Sequence, residues 1–126
     1  MYPGLASCPG CTSALSLRIA LKALGPKTII VMPASCSVPM TSLYPKTAVK
    51  VPMIFVAFTA TASTAAGIAA ALKMKGDNET TVLCWAGDGG TFDIGLQTLS
   101  GAAERGDKMI YACYNNQAYM NTGTQR

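Results

Sequence analysis

Apolar positions in this chain come in two textures that alternate. Short unbroken runs, rich in β-branched and aromatic side chains, predict four strands at Thr28–Met32, Ile54–Phe58, Thr80–Ala86 and Met109–Tyr114. None of them alternates polar with apolar, which is the mark of strands covered on both faces of a parallel sheet. Longer stretches with helical spacing lie between them. Ser13–Leu24 carries Leu15, Leu17, Ile19, Ala20 and Leu24 and is closed by Gly25-Pro26. Ala62–Lys75 breaks at Gly76-Asp77-Asn78, and Phe92–Arg105 places Phe92, Leu96, Leu99 and Ala103 on one face before Gly106. Strands alternating with helices predict an α/β fold, a parallel sheet with helices on both faces. Ser37–Lys50, with Pro39 and Pro45 and with Pro52 just beyond, reads as a loop able to contact a partner. No repeat, low-complexity segment or linker interrupts the pattern, so residues 1–126 read as one domain.

One stretch could be taken for a membrane span. Val51–Leu72 holds 22 residues without a charge, long enough to cross a bilayer. Pro52 near its start and the Thr, Ser and Ala of its middle argue instead for a buried strand, a turn and a buried helix. Half of the 126 residues are hydrophobic and only 13% are charged, so much of the chain should be buried internally or against partners. The net charge of +4 comes from scattered lysines, with no basic run interleaved with aromatics, and gives nucleic-acid binding no support. Five cysteines and no signal peptide fit a reducing, cytoplasmic setting. The absence of histidine excludes His triads, His metal sites and His general bases. Of the two glutamates, Glu79 falls at a strand entrance and Glu104 near a helix end.

Chemistry gathers at two predicted strand ends. Gly87-Asp88-Gly89-Gly90 follows the third strand, and Asn115-Asn116-Gln117-Ala118 follows the fourth. A carboxylate between glycines facing amide oxygens can hold a hard cation against a diphosphate. Mg²⁺ takes near-octahedral oxygen ligands and shares them between protein and phosphate. Asp88 supplies a carboxylate, Asn116 a side-chain carbonyl and Ala118 a backbone carbonyl. Gly87, Gly89 and Gly90 let the main chain approach phosphates, and a helix starting near Thr91 would aim its N–H groups at the anion. Ligands of parallel sheets bind at these carboxyl ends.

The cysteines are a second constellation. Cys8-Pro9-Gly10-Cys11 opens the chain and Cys36 follows 25 residues after Cys11. A CxxC can be a dithiol redox motif, but that motif follows a strand, and only seven residues precede Cys8. It can be half of a zinc site, but no second close pair exists. Cys84 and Cys113 lie inside apolar strands and read as small buried thiols.

GDG followed by a spaced Asn pair resembles the thiamine-diphosphate fingerprint. The string from Asn116 to Arg126, NQAYMNTGTQR, is similar to β subunits of the pyruvate:ferredoxin oxidoreductase (pyruvate synthase) family. The resemblance implies a thiamine-diphosphate-binding domain and a catalytic β subunit that oxidatively decarboxylates pyruvate with coenzyme A to acetyl-CoA and CO₂. Electrons would pass through a [4Fe-4S] cluster to ferredoxin. It implies Gly87, Asp88, Gly89, Gly90, Asn116, Ala118, Tyr119 and Thr122 as cofactor-binding residues, with Asp88, Asn116 and Ala118 holding Mg²⁺. It implies Cys8, Cys11 and Cys36 as cluster ligands in a segment spanning 8–36, thiolates being soft ligands suited to iron–sulfur clusters. The fourth ligand would come from further along such a chain. Asn121 matches an asparagine near the reacting carbon, and Tyr119 and Thr122 would line that pocket.

The partners implied are an α subunit that supplies the activating glutamate, and γ and δ ferredoxin-like subunits or equivalent domains. The same resemblance implies that the sequence is an N-terminal portion, incomplete at its C-terminal end. Another 2-oxoacid:ferredoxin oxidoreductase, or a cluster-free thiamine-dependent decarboxylase, is the alternative. One departure stands out: a polar or acidic pair is expected after the aromatic ending the second strand, and Thr59-Ala60 follows Phe58 here.

Overall fold

A computed structural model describes every residue except Tyr44, Lys46 and Arg126. In order along the chain come α1 (Thr12–Leu24), β1 (Thr28–Pro33), α2 (Ser37–Ser42), β2 (Met53–Val56), α3 (Thr61–Met74) and β3 (Thr81–Gly87). A π-helical turn (Gly89–Asp93), α4 (Leu96–Arg105), β4 (Ile110–Tyr114) and a 3₁₀ turn (Met120–Thr122) complete it. The strands form one parallel sheet in the order β2-β1-β3-β4. Successive side chains of a strand face opposite ways, and both faces are apolar. Ile30, Met32, Leu83 and Trp85 pack with Ala14 and Leu17 of α1 and Met40 of α2. Val31, Val82 and Cys84 pack on the other face with Ala65 of α3, against which α4 lies. Fully burying a side chain such as Leu17 or Ile30 stabilises by roughly 1.5–3 kcal/mol. The expected parallel sheet with helices on both faces is what the chain forms.

The uncharged stretch 51–72 divides as expected into β2, a turn and most of α3. Among the described residues no helix is long and apolar enough to cross a membrane. Cys84 is fully buried, as expected; burial pushes its thiol up to about 12, and it donates to Met109 Sδ at 3.6 Å. Cys113 is half-buried.

Four expectations are corrected. The segment expected as a loop over Ser37–Lys50 begins with α2, in which Thr41 Oγ1 and Ser42 Oγ bond back to the carbonyls of Ser37 and Val38. Pro39 is no obstacle there, because a first-turn residue has no intrahelical use for an N–H. Tyr44 and Lys46 of that segment lie outside the described residues. The second strand stops at Val56 and leaves Phe58 beyond the sheet. Leu15 and Ile19 face outward from α1, whose inner face is carried by Ala14 and Leu17.

The fourth correction is closest to the site. The helix expected over Phe92–Arg105 starts earlier and in two pieces. Helical backbone begins at Gly89 with an Ile94 N–H to Gly89 carbonyl bond of 3.2 Å, one residue wider than an α-turn. Thr91 Oγ1 donates to the Gly87 carbonyl at 2.7 Å and ties that turn to β3. A Cβ on Gly95 would sit 1.8 Å from the Gly90 carbonyl oxygen, so only glycine lets the wide turn close before α4 restarts at Leu96. The extra residue shifts the helical phase. Phe92 and Leu96 are 54% and 50% exposed, Ala103 is exposed as well, and the inward position goes to Ala102.

The chain leaves β1 for β2 on one side and then crosses to β3 on the other. The turn after β1 and the turn after β3 therefore flank a crevice at the carboxyl end of the sheet, the place where such sheets take ligands.

Candidate functional site

That crevice is a cleft of about 230 Å³ lined by four chain segments. Ala34, Ser35 and Cys36 come from the end of β1, Phe58 from beyond β2, Gly87 to Gly90 from the end of β3, and Tyr114, Asn116 and Ala118 to Thr122 from the end of β4. Gly87, Asp88, Gly89, Gly90, Asn116, Ala118, Tyr119, Asn121 and Thr122, separated by up to 35 positions in sequence, all line it.

Asp88 and Asn116 face one another because β3 and β4 run parallel in register, Gly87 beside Tyr114. Each strand end then turns at once into the cleft. One terminal atom of the Asn116 amide stands 3.0 Å from Asp88 Oδ1 and 2.7 Å from the Ala118 carbonyl oxygen. With nitrogen in that place the amide donates to both. The hydrogen bonds favour that orientation; turned over, the amide would accept the Ala118 N–H at 3.4 Å and set a third oxygen beside those of Asp88 and Ala118, an arrangement that only a cation between them would stabilise. A carboxylate, an amide oxygen and a main-chain carbonyl are the kind of hard-oxygen donors that Mg²⁺ takes. Among the described residues no three His, Cys, Asp or Glu side chains gather as a metal cage.

The turn that aims Ala118 is held locally. Asn115 Oδ1 accepts the Gln117 N–H at 2.9 Å, and Gln117 adopts φ 64°, a left-handed conformation uncommon for a residue with a Cβ. Beyond it the chain closes on itself, the Tyr119 N–H donating to the Gln125 carbonyl at 2.7 Å. Tyr119 leans over the glycine turn. Its hydroxyl donates to Asp93 Oδ2 at 2.7 Å, and its ring meets Phe58 edge-on with centroids 6.0 Å apart. A Cβ on Gly89 would fall 1.9 Å from that ring, so the glycine is what lets the aromatic lie against the main chain.

The sulfur ligands expected from the sequence are less gathered. Cys11 N–H bonds the Cys8 carbonyl at 3.1 Å, a tight turn through Gly10. Cys8 is exposed, Cys11 and Cys36 are half-buried, and all are free thiols. Only Cys36 reaches the cleft. Burial raises its pKa first, then the neighbouring Cys11 and Cys8, and Asp88 adds to them.

Glu79 lies at the entrance of β3, paired with Lys27 and away from the cleft. Sequence reasoning missed Ala34, Ser35, Tyr114 and Met120 as lining residues and left Phe58 without a place. All five lie within three residues of a strand end or of a residue already singled out, the one signal that could have found them.

Residues 35–126 match the thiamine pyrophosphate enzyme family, C-terminal TPP binding domain. The whole chain is 52% identical to pyruvate synthase subunit PorB of Methanothermobacter thermautotrophicus, covering 44% of that protein. Over 99% of its length it is 48% identical to ketoisovalerate oxidoreductase subunit VorB of Pyrococcus furiosus, covering 42% of it. The chain therefore spans less than half the length of these relatives. Its fold resembles 94% of this chain laid over 39% of a chain of 2-oxoglutarate:ferredoxin oxidoreductase from Magnetococcus marinus, with TM-score 0.71 and 24% identity. With the strand-end glycines and oxygens on one cleft, the match over 35–126 settles the family: the chain belongs to the thiamine pyrophosphate enzymes, through their C-terminal TPP-binding domain.

Proposed function

We propose that this chain is the diphosphate-binding part of a 2-oxoacid:ferredoxin oxidoreductase β subunit that acts on pyruvate. The meeting of the Asn116 amide with the Asp88 carboxylate and the Ala118 carbonyl carries the reading. In it Asp88 is the charged ligand of Mg²⁺, and Asn116 and Ala118 complete one side of the shell. Gly89 and Gly90, at the start of the helical turn, offer main-chain N–H groups to the phosphates. Thiamine diphosphate, when bound, supplies the electron sink for decarboxylation; the protein positions and tunes it. Asn121 lies on the cleft wall with Thr122, placed to contact the substrate. Cys8, Cys11 and Cys36 are the ligands this chain offers to a [4Fe-4S] cluster that takes the electrons on toward ferredoxin, in a reducing, cytoplasmic setting.

The cleft is small beside the roughly 300–1,000 Å³ usual for ligand pockets. Phe92, Ile94 and Leu96 expose apolar surface just beyond it. Both features support a site finished by another polypeptide, the α subunit that supplies the activating glutamate, with ferredoxin-like γ and δ subunits or domains. Identity to the ketoisovalerate enzyme is almost as high as to pyruvate synthase, so a branched-chain 2-oxoacid is the second reading.

The test is an anaerobic assay of the purified complex for coenzyme A-dependent reduction of ferredoxin, with pyruvate and 2-ketoisovalerate side by side. Iron and sulfide are measured on the same sample. Faster turnover of pyruvate and stoichiometric iron are expected. Preference for the branched acid installs the second reading, and an active complex without iron removes the cluster.

A further inference from the structure

Tyr114 ends β4 immediately before the Asn115-Asn116 pair, and the roles given so far do not use it. Its ring runs back across the end of the sheet, stacked on Trp85 with centroids 5.9 Å apart and planes inclined by 29°. It passes over Gly87, whose missing Cβ would lie 3.4 Å from the ring. Its hydroxyl accepts a hydrogen bond from Ser37 Oγ at 3.1 Å. Ser37 is fully buried, and a buried hydroxyl without a partner is costly. The Ser37 N–H in turn donates to Ser35 Oγ at 3.3 Å, which donates to the Pro33 carbonyl at 3.0 Å.

This short chain of bonds spans a gap that the sheet does not. β1 and β4 lie on opposite sides of β3 and share no ladder. The turn carrying Cys36 and the loop carrying Asn116 would otherwise be spaced only through the strand between them.

We infer that Tyr114 is a positioning residue whose hydroxyl ties the Cys36 turn to the Asn116 loop and fixes the spacing between the sulfur and oxygen halves of the cleft. The inference rests on the function proposed above. Its test uses the anaerobically purified complex and two single variants that each remove one end of the bond, Tyr114→Phe and Ser37→Ala, with the double variant. Each single variant is expected to weaken Mg²⁺-dependent thiamine diphosphate binding about fivefold, the scale of one hydrogen bond. The double variant should be no weaker than either, since both remove the same link. The electron paramagnetic resonance spectrum of the reduced cluster should change alike in all three. Additive losses, or wild-type affinity with an unaltered spectrum in Tyr114→Phe, would overturn the inference while the function stands. A parent complex that binds no thiamine diphosphate or holds no iron would instead overturn the function, and the inference with it.

Discussion

Asp88 and Asn116 stand on strands that share a ladder, whereas Cys8, Cys11 and Cys36 hang from segments that do not. Gly87 and Tyr114 are register partners, so the next residues of β3 and β4 leave the sheet side by side. Cys36 follows β1 by three residues, and Cys8 and Cys11 precede α1, which meets the sheet through Leu17. The contrast follows the chemistry. Mg²⁺ demands near-ideal spacing of hard oxygens, and a hydrogen-bonded strand pair presets such spacing before any ion arrives. On the proposed function, the three thiolates would be drawn together by the cluster they bind, from a turn and an N-terminal segment.

The comparison breaks most cleanly through reciprocal variants. Asp88→Ala removes the only charge among the three groups proposed to hold Mg²⁺. Mg²⁺-dependent thiamine diphosphate affinity should fall on the order of 100-fold or more, a ligand costing at least what its supporting neighbours do, with the iron content of the complex unchanged. Unaltered affinity would show that the carboxylate holds no cation. Cys36→Ala should do the converse, lowering iron content while thiamine diphosphate affinity stays within about twofold, because the thiol is not part of the Ser35–Ser37–Tyr114 bonds. If affinity collapses in Cys36→Ala as well, the two halves are one unit. Isothermal titration beside iron analysis reads both.

A smaller effect tests the glycine turn. In Gly89→Ala the new methyl falls 1.9 Å from Cε1 and 2.3 Å from Cδ1 of Tyr119. That ring is anchored by its bond to Asp93 and its edge contact with Phe58, so it cannot yield without losing them. Overpacking of this kind costs about 1–3 kcal/mol; affinity should fall about tenfold, and the melting temperature with it. Gly90→Ala, where the nearest atom is 3.1 Å away on Phe58, should be milder. Equal effects would mean that the turn, not the aromatic cover, sets the requirement for glycine.

How much of this could be read from residues alone follows from which forces are local. The four strands and the ends of α1, α3 and α4 at Gly25, Gly76 and Gly106 were legible because apolar runs and left-handed glycines act within a few positions. The meeting of Asp88 with Asn116 was legible because consecutive parallel strands deliver their ends to one edge. The π-turn was not, since it depends on Gly95 meeting the Gly90 carbonyl, and without it the Phe92 and Leu96 face points the wrong way. Nor was Tyr114's reach to Ser37, a bond across 77 positions and over an intervening strand. Tertiary contacts of that kind leave no periodic trace.

The smallest expected effect probes how tightly the oxygen half is preset. Gln117 holds φ 64° where the chain brings the Ala118 carbonyl to the Asn116 amide, and the Asn115 side chain braces it through a 2.9 Å bond. Glycine takes that conformation without a Cβ penalty, whereas a β-branched residue meets it at full cost. Gln117→Gly should therefore leave thiamine diphosphate affinity within about twofold. It should raise stability by no more than about 1 kcal/mol, the strain a left-handed residue carries. Gln117→Val should lower stability by a similar amount and weaken binding severalfold, because relief of the strain swings the Ala118 carbonyl away from the cation. If valine binds as well as glutamine, the carbonyl is not a ligand, and the shell on this side shrinks to Asp88 and Asn116. Glycine weakening binding as much as valine would point elsewhere, to the bracing bond from Asn115 rather than the backbone angle as what holds the loop.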